Sequence, residues 1–284
     1  MTLLERVAAG VVLADGAMGT LGFSERDSLG PVPSMWPIED PEIVESIHGA
    51  YVDAGAELLL TCTFGASRGW LAMHGSESRL AEINSAAVEA ARGASPSGTL
   101  IAGDVGPAAA GRDSAATSAE AMYREQIESL VAAGVDAILV ETMMSIEDAR
   151  NAVAAANQVR AGVPLIVSMT FDAELRARDG SSPEMFADEV CALGIDLIGV
   201  NCCDGPRTTL AVVERLVRFG PVPVFAKPSA GLPRDDGSYA YGPERFARWA
   251  RRIVDAGARV VGGCCGTTPA HIAACRSMLG HHVP

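Results

Sequence analysis

The chain has 284 residues, of which 49% are hydrophobic and 20% are charged, so it can bury a large core and extensive disorder is excluded. A formal net charge of −13 argues against nucleic acid as a partner, because phosphate binding requires a basic surface. No stretch is long and apolar enough to span a bilayer, so no membrane partner is expected, and the first residues lack the order of segments found in a signal peptide.

Eight short apolar runs alternate with segments of helical character along the chain. The runs lie at 11–15, 57–61, 100–104, 137–141, 164–170, 196–202, 223–226 and 259–263. Each has a continuous apolar stretch instead of a strict alternation of apolar and polar residues, which is typical of parallel strands buried on both faces. Eight such units in this length predict an α/β fold, a single-domain (β/α)8 TIM barrel over residues 1–284. An open, doubly wound sheet is the main alternative.

The segments between the runs predict the outer helices. These cover 41–55, 79–92, 118–133, 146–160, 183–193, 207–219 and 243–256, and a last helix starts near Pro269. Residues 21–37 include three prolines and two glycines, so they are predicted to form a long irregular loop that carries Trp36.

Polar side chains stand where most of the predicted strands end. They are Asp15, Thr61, Cys62, Thr63, Asp104, Glu141, Thr142, Thr170, Asn201, Cys202, Lys227, Ser229, Cys264 and Cys265. Barrel enzymes carry their chemistry on the loops after the carboxyl ends of the strands. This concentration of polar groups therefore predicts a functional site at that end of the barrel.

Two adjacent cysteines, Cys264 and Cys265, follow the eighth run and are flanked by glycines. A regular strand would point them to opposite faces, so bent backbone at the glycines is needed to aim both thiols at one point. Cys202 ends the sixth run and reaches the same barrel end. Three thiolates around Zn²⁺ leave one tetrahedral position open, which is a catalytic pattern. Cys203 is an alternative ligand, and burial of the cysteines in the core is the alternative to a metal site.

The cysteines also indicate a compartment and a type of chemistry. Their number, seven, is odd, and we expect a cytoplasmic, reducing setting in which thiols bind metal or catalyse. Soft sulfur ligands favour alkyl transfer to a thiol, whereas hydrolysis by zinc-bound water commonly uses imidazole ligands. The chain has only five histidines, two of them in its C-terminal tail, which fits the first reaction better.

The motifs resemble those of the zinc-dependent homocysteine S-methyltransferases. That family includes betaine-homocysteine and S-methylmethionine-homocysteine methyltransferases and the homocysteine module of cobalamin-dependent methionine synthase. The similarity covers almost the whole chain. The matching motifs are LADGAMGT at 13–20, TCTFGA at 61–66, GDVGP at 103–107, VET at 140–142, SMTFD at 168–172, GVNC at 199–202, AGLP at 230–233 and GGCCGTTP at 262–269.

The resemblance implies roles for individual residues. It implies that Cys202, Cys264 and Cys265 bind Zn²⁺, which leaves Cys203 outside the ligand set. It also implies an amino-acid pocket in which two acids hold the ammonium group of homocysteine. The pocket residues are Asp15, Glu141, Thr61, Thr63, Phe64 and Asn201. For the carboxylate of such a substrate, the backbone N–H groups of Gly16 and Ala17 are candidates.

The implied activity is methyl transfer from a small onium donor, such as S-methylmethionine or betaine, to homocysteine, giving methionine. We place the donor near Trp36 and Ser229, under residues 21–36 and 105–117, because an aromatic face suits an onium ion. Cys62 and Ser229 stand where many relatives carry asparagine, and Gly65 stands where the animal betaine enzymes carry tyrosine.

Two other interpretations stay open. In the first, the chain is a homocysteine-activating subunit that accepts methyl from a separate corrinoid protein, since it lacks an Asp-x-His-x-x-Gly signature of its own. In the second, it is a zinc-binding barrel that acts on another thiol. The sequence also leaves open a homo-oligomer or a docking methyl-carrier protein.

Overall fold

The computed structural model describes residues 1–25, 30–108 and 118–280. The strands are Val12–Leu13 (β1), Leu58–Leu60 (β2), Leu100–Val105 (β3), Ala137–Met143 (β4), Leu165–Met169 (β5), Leu197–Asn201 (β6), Val224–Lys227 (β7) and Ala258–Val261 (β8). The helices are Leu3–Ala9 (α1), Gly19–Glu25 (α2), Trp36–Glu39 (α3), Pro41–Asp53 (α4), Arg68–Ala72 (α5), Leu80–Gly93 (α6), Ala119–Ala132 (α7), Ile146–Val159 (α8), Pro183–Cys191 (α9), Pro206–Phe219 (α10), Pro243–Asp255 (α11) and Pro269–Leu279 (α12).

The eight strands form one closed, parallel barrel. Neighbours in sequence are neighbours in space from β2 to β8, and β8 pairs in parallel with β1. The last seam joins β1 to β2 through a bridge between Ala14 and Leu58, with the Asp15 N–H donating to the Leu58 carbonyl at 3.0 Å. The predicted (β/α)8 barrel is therefore confirmed, and the open sheet is excluded.

Side chains of the strands divide into an outer shell and an inner layer. Alternate residues pack under the helices, as Leu59 and Ile101 do, while the residues between them, such as Leu58 and Ala102, fill the barrel. Leu3 and Val7 of α1 belong to the same inner cluster. Because α1 leads directly into β1, it closes the amino-terminal end of the barrel.

Above the apolar layer, the inward-facing positions become polar. Asp104, Glu141 and Lys227 each lie two residues beyond an inward-facing apolar residue of their strand, and Asn201 ends β6 with the same inward parity. All four side chains are buried. Because side chains alternate along each strand, these four form a ring of buried polar groups at the carboxyl end of the barrel.

The prediction of an irregular loop at 21–37 was wrong for most of that segment. Helix α2 enters it, a 3-10 turn covers Pro33–Met35, and α3 begins at Trp36. Tertiary packing explains the difference: Trp36 is fully buried, Gly22 lies against its indole, and Phe23 meets it edge-on at 5.0 Å between ring centroids. Residues 26–29 lie outside the described residues. Within the described ranges, no helix is long and apolar enough to cross a membrane.

Candidate active site

A cavity of about 570 Å³ opens at the carboxyl end of the barrel. Its floor carries acids, a lysine and three thiols, and its outer wall is apolar. The floor includes Asp15, Gly16, Thr61, Thr63, Asp104, Glu141, Thr142, Lys227, Cys202, Cys264 and Cys265. The wall includes Met18, Phe23, Pro31, Val32, Pro33, Phe64 and Trp70. The cavity thus joins a charged lower part to an apolar entrance.

The structure brings three of the seven cysteines together. The sulfur atoms of Cys202, Cys264 and Cys265 all lie within 4.8 Å of one another, and the Sγ atoms of Cys202 and Cys265 are 3.5 Å apart. Cys203 lies outside this cluster: it is buried, and its Sγ points to the backbone carbonyl of Asn201 at 3.7 Å. Of the two neighbours at the end of β6, only Cys202 faces the thiol pair.

Irregular backbone at two strand ends aims these sulfurs. Cys202 adopts a left-handed conformation with φ 52°, and its N–H donates to the carbonyl of Lys227 at 3.2 Å. The Cys264 N–H donates to the carbonyl of Pro228 at 2.8 Å, and Gly266 has φ 76°. The glycine-dependent turn expected from the sequence is therefore present, and it is anchored to the loop after β7.

We expect Gly266→Ala to disturb this turn. A Cβ at Gly266 would overlap the ring of Tyr239 as well as strain the left-handed backbone, so the cost should be roughly 2–5 kcal/mol of unfolding free energy. Gly237 is a matched control, because it has φ 77° and open space around it, so Gly237→Ala should cost only roughly 1–2 kcal/mol. Chemical denaturation of both variants tests the difference; equal losses would contradict it.

The thiol cluster has the character of a cation site. Hydrogen bonds from Cys264 and Cys265 lower the pKa of the Cys202 thiol to about 3, and the hydrogen bond with Cys202 raises the pKa of Cys265 to about 12. The two neighbouring thiols thus favour the thiolate form of Cys202. Three soft donors converging in this way fit the ligand set of a zinc ion with one open position.

Ser229 lies behind the thiol cluster. Its side chain is buried, and its Oγ donates to the Cys202 Sγ at 3.8 Å. Ser229 is not among the residues that line the cavity. The structure therefore places it beside a candidate metal ligand, whereas the sequence placed it in the donor region. A hydroxyl donor there draws charge from the thiolate, as partners of metal ligands commonly do.

Asp15 is engaged by a buried lysine. Its Oδ1 accepts a hydrogen bond from Nζ of Lys227 at 2.6 Å, and its Oδ2 accepts one from the Leu60 N–H at 2.8 Å. Both side chains are at most 4% exposed. Burial raises the pKa of Asp15 and the nearby lysine charge opposes that rise. Asp15, one of the two acids that the resemblance assigned to the substrate ammonium, therefore already has a cationic partner.

Glu141 is held in place by Asn201. The Asn201 Nδ2 donates to Glu141 Oε2 at 3.0 Å and to the Thr142 hydroxyl at 2.7 Å, while its Oδ1 accepts from the Thr142 N–H at 2.9 Å and from the Ser168 hydroxyl. Thr142 has φ 59°, an unusual conformation for a β-branched residue that is typical of functional sites. Asn201 is fully buried and positions the acid; it does not line the cavity.

The predicted threonines form a hydrogen-bonded support for β3. The hydroxyl oxygens of Thr61 and Thr63 are 2.6 Å apart, Thr63 donates to the Asp104 carbonyl at 2.6 Å, and the Asp104 N–H donates to Thr61 Oγ1 at 2.9 Å. Phe64 follows on the cavity wall and is 37% exposed. These residues lie at the cavity, as the sequence predicted, but the threonine hydroxyls form hydrogen bonds with each other and with the backbone of Asp104.

Gly16 and Ala17 reach the cavity floor by a tight turn. A Cβ at Gly16 would meet the Tyr51 hydroxyl at 2.6 Å and Thr267 Oγ1 at 2.8 Å, so only glycine fits. The Ala17 N–H donates to Thr267 Oγ1 at 3.1 Å. Because its amide is occupied, Ala17 is a poorer candidate than Gly16 for binding a substrate carboxylate.

Comparison with known proteins identifies the relatives of this site. The family model of homocysteine S-methyltransferase matches residues 12–279. The chain belongs to the homocysteine S-methyltransferase family. The match includes all eight strands and each of the three clustered thiols. The resemblance read from the motifs is thereby confirmed.

Individual relatives agree with this assignment. The chain is 31% identical to methionine synthase of Mycobacterium tuberculosis and 30% identical to that of Mycobacterium leprae, in each case over 95% of this chain. It spans about a quarter of the length of these relatives, 25% and 24%. The homocysteine methyltransferase MmuM from Escherichia coli in its metallated form superposes with a TM-score of 0.77 at 25% identity, covering 94% of this chain and 96% of that one. Its apo form gives a TM-score of 0.76 with 98% of both chains covered.

In this member of the family, Trp36 is not brought to the cavity wall. It is fully buried, and its Nε1 donates to the Gly30 carbonyl at 2.8 Å. Phe23, which packs edge-on against it, lines the cavity in its place and is 45% exposed. Of the segment 105–117 also expected near the donor, residues 109–117 lie outside the described residues.

Sequence reasoning gave no role to two residues of the cavity floor. Asp104 and Lys227 appeared only as polar groups at strand ends, yet both are buried and face the cavity. The available signal was their parity, since each continues the inward-facing positions of an apolar strand. A lysine at such a position requires an acidic partner, which the structure identifies as Asp15.

Proposed function

We propose that the chain transfers a methyl group from a small onium donor to the thiol of homocysteine in a zinc-dependent reaction, giving methionine. The observation that carries the proposal is the convergence of three thiols at the floor of a cavity that also holds buried acids. The thiols would bind a metal that activates the substrate sulfur, and the acids would bind the substrate ammonium. The structural similarity to an E. coli homocysteine methyltransferase supports the same acceptor.

Cys202, Cys264 and Cys265 would hold the metal. The donor set fits zinc, since three sulfur atoms lie close together, Cys203 is turned away, and Ser229 already donates to one of the ligands. Bound there, zinc would supply Lewis acidity that keeps the thiol of homocysteine in its thiolate form at neutral pH. The similarity to a metallated form of the E. coli methyltransferase supports metal binding by this chain as well.

The protein side chains then orient the amino acid. Glu141, fixed by Asn201, binds the ammonium group from one side of the cavity floor, and the Gly16 amide is available to the carboxylate. With both ends held, the homocysteine sulfur lies near the thiol cluster. Fixing the nucleophile at near-attack distance removes much of the entropic cost of the reaction.

Methyl transfer itself requires no protein acid or base. The bond between the homocysteine sulfur and the methyl carbon forms as the bond between that carbon and the donor heteroatom breaks. The electron pair of the broken bond stays on the donor, which leaves as a neutral thioether or amine. Since no proton moves in this step, the buried carboxyls are free to serve binding alone.

The outer wall favours an onium donor. Phe23, Phe64 and Trp70 line the apolar entrance above the charged floor. Aromatic faces attract cations by roughly 0.5–1 kcal/mol at exposed sites and by about 2 kcal/mol where water is excluded, and the apolar surroundings suit a donor methyl group. Phe23 takes over the role that the sequence gave to Trp36.

A second candidate is transfer from a methyl-corrinoid carrier protein. The 31% identity to a mycobacterial methionine synthase, over a quarter of that protein, favours it. In that case the same floor would activate homocysteine, and the entrance would face a separate protein. The two candidates share the acceptor and differ only in the donor. In both, we propose a cytoplasmic setting, supported by seven free cysteines.

A donor screen separates these candidates. The purified chain, loaded with zinc, is incubated with homocysteine and with S-methylmethionine, betaine or a methylcobalamin-loaded carrier, and methionine is measured by mass spectrometry. Zinc content is measured on the same sample. We expect methionine from a small onium donor without any carrier. Turnover with the carrier alone would favour the second candidate, and no methionine from any donor at full zinc content would refute both.

A further inference from the structure

We infer that Thr20 is a positioning residue for methyl transfer. It fixes helix α2, which carries part of the apolar entrance, to the turn at 264–266, here called the thiol turn, which holds two of the three clustered cysteines. The inference rests on the proposed function and deepens it, because it names a contact that sets the distance between the donor methyl group and the acceptor sulfur. The sequence placed Thr20 in a matching motif and gave it no role.

Distant segments of the chain build the two parts of the cavity. Helix α2 brings Phe23 to the entrance wall, whereas Cys264 and Cys265 lie on the floor after the last strand. Methyl transfer requires the acceptor sulfur and the methyl carbon at near-attack distance, and a misplacement of about 1 Å can cost about a hundredfold in rate. The two segments must therefore be held in a fixed relation to one another.

Thr20 joins these segments directly. Its Oγ1 accepts a hydrogen bond from the Gly266 N–H at 3.1 Å, across 246 positions of sequence. Gly266 follows the cysteine pair and has φ 76°, so the same bent backbone that aims the thiols also aims this N–H group. Thr20 is half-buried and lines the cavity. It therefore lies at the junction between the floor and the entrance.

Packing holds another part of α2 but leaves its register to Thr20. A Cβ at Gly22 would lie 2.4 Å from the indole of Trp36, and Phe23 meets the same indole edge-on at 5.0 Å between ring centroids. Apolar contacts of this kind are non-directional, whereas a hydrogen bond fixes both distance and angle. The bond from Gly266 thus determines where Phe23 stands relative to the thiols.

This arrangement separates the donor from the acceptor. The floor groups that would hold homocysteine lie on the strands and on the thiol turn, so they do not depend on α2. With metal bound to the cluster, the thiol turn would lose freedom, and the Thr20 bond would extend that restraint to α2. Loss of the bond should therefore impair use of the donor and spare binding of homocysteine.

The first arm of the test compares Thr20→Val, which removes the acceptor at nearly constant volume, with Thr20→Ser, which keeps it. With the donor identified by the screen, we expect Thr20→Val to lower kcat/KM for the donor about tenfold to a hundredfold. Homocysteine affinity by calorimetry and zinc content should stay at wild-type values, and Thr20→Ser should recover most of the activity. Ser24→Ala is the matched control, because that hydroxyl bonds within α2, to the Leu21 carbonyl at 2.7 Å.

The second arm needs no donor. Hydrogen–deuterium exchange of the α2 amides is measured in the metal-free and the zinc-loaded chain. We expect zinc to slow this exchange about threefold to tenfold in the wild type and in Thr20→Ser, the worth of one hydrogen bond, and to have no such effect in Thr20→Val.

Several outcomes would overturn the inference. These are an unchanged kcat/KM in Thr20→Val, a loss that homocysteine affinity or zinc content shares, a loss that serine does not rescue, and an exchange response to zinc that is absent from the wild type or equal in all variants. If the zinc-loaded wild type yields no methionine from any donor while the exchange response depends on Thr20, the proposed function fails and the link between α2 and the thiol turn stands.

Discussion

Replacing Cys264 by alanine is expected to remove bound zinc and abolish methyl transfer. Cys264 belongs to the thiol cluster, and its sulfur is within 4.8 Å of those of Cys202 and Cys265. A site with two thiolates lacks the charge and the geometry to hold the ion. Loss of a partner behind a metal ligand already costs tenfold to a hundredfold in affinity, so loss of a ligand should cost more than about a hundredfold.

The measurement is zinc per chain by mass spectrometry after exhaustive dialysis, together with methionine formation. Cys203→Ala is the matched control, because Cys203 is adjacent to a ligand in sequence but its sulfur faces the carbonyl of Asn201. We expect the control to retain zinc and activity. If Cys264→Ala keeps a full complement of zinc, the proposed metal site is wrong.

Replacing Glu141 by alanine should raise the KM for homocysteine about a hundredfold or more with zinc retained. The change leaves the substrate ammonium facing a buried site with one carboxyl fewer, and removal of one partner of a buried charge pair costs roughly 3–5 kcal/mol. It also takes from Asn201 the acceptor at 3.0 Å, which loosens the support of Thr142. The thiol cluster lies on other strands and should keep its metal.

Two comparisons make this result specific. Glu141→Gln preserves an acceptor for Asn201 and removes only the charge, so most of the rise in KM should persist in it. The KM for 4-mercaptobutanoate, which lacks the ammonium group, should change little in either variant. An unaltered KM for homocysteine in Glu141→Ala would exclude this residue from the amino-acid pocket.

The fold was predictable because its signals are local. Apolar runs mark all eight strands, and the seven predicted outer helices end within two residues of the observed ones. Helix α1 was missed although Thr2 and Glu5 form a capping box, a signal visible in the sequence. Helix α2 was missed because it depends on packing: Gly22 is a weak helix former that fits beneath the buried indole of Trp36.

The sequence predicted which residues form the site better than it predicted which of their side chains contact one another. Strand ends identified the residues that face the cavity, and adjacent cysteines identified the thiol cluster. The contact of Asp15 with Lys227 joins positions 212 residues apart, so no local pattern reveals it. Likewise, the sequence suggested that Asn201 and Ser229 touch substrates, whereas both act on neighbouring side chains. The sequence shows which chemical groups are present, whereas the tertiary structure determines which of them contact one another.

The helix that closes the bottom of the barrel also affects the order of events. Because Leu3 and Val7 fill the amino-terminal end of the barrel, both substrates reach the thiols through the apolar entrance. Under the proposed function homocysteine occupies the floor and the donor the entrance, so the amino acid must arrive first and methionine must depart last. A dead-end analogue of the donor should therefore trap bound homocysteine, which isotope-trapping experiments can detect. If bound homocysteine is still released when the donor analogue occupies the entrance, a second route to the cavity floor must exist.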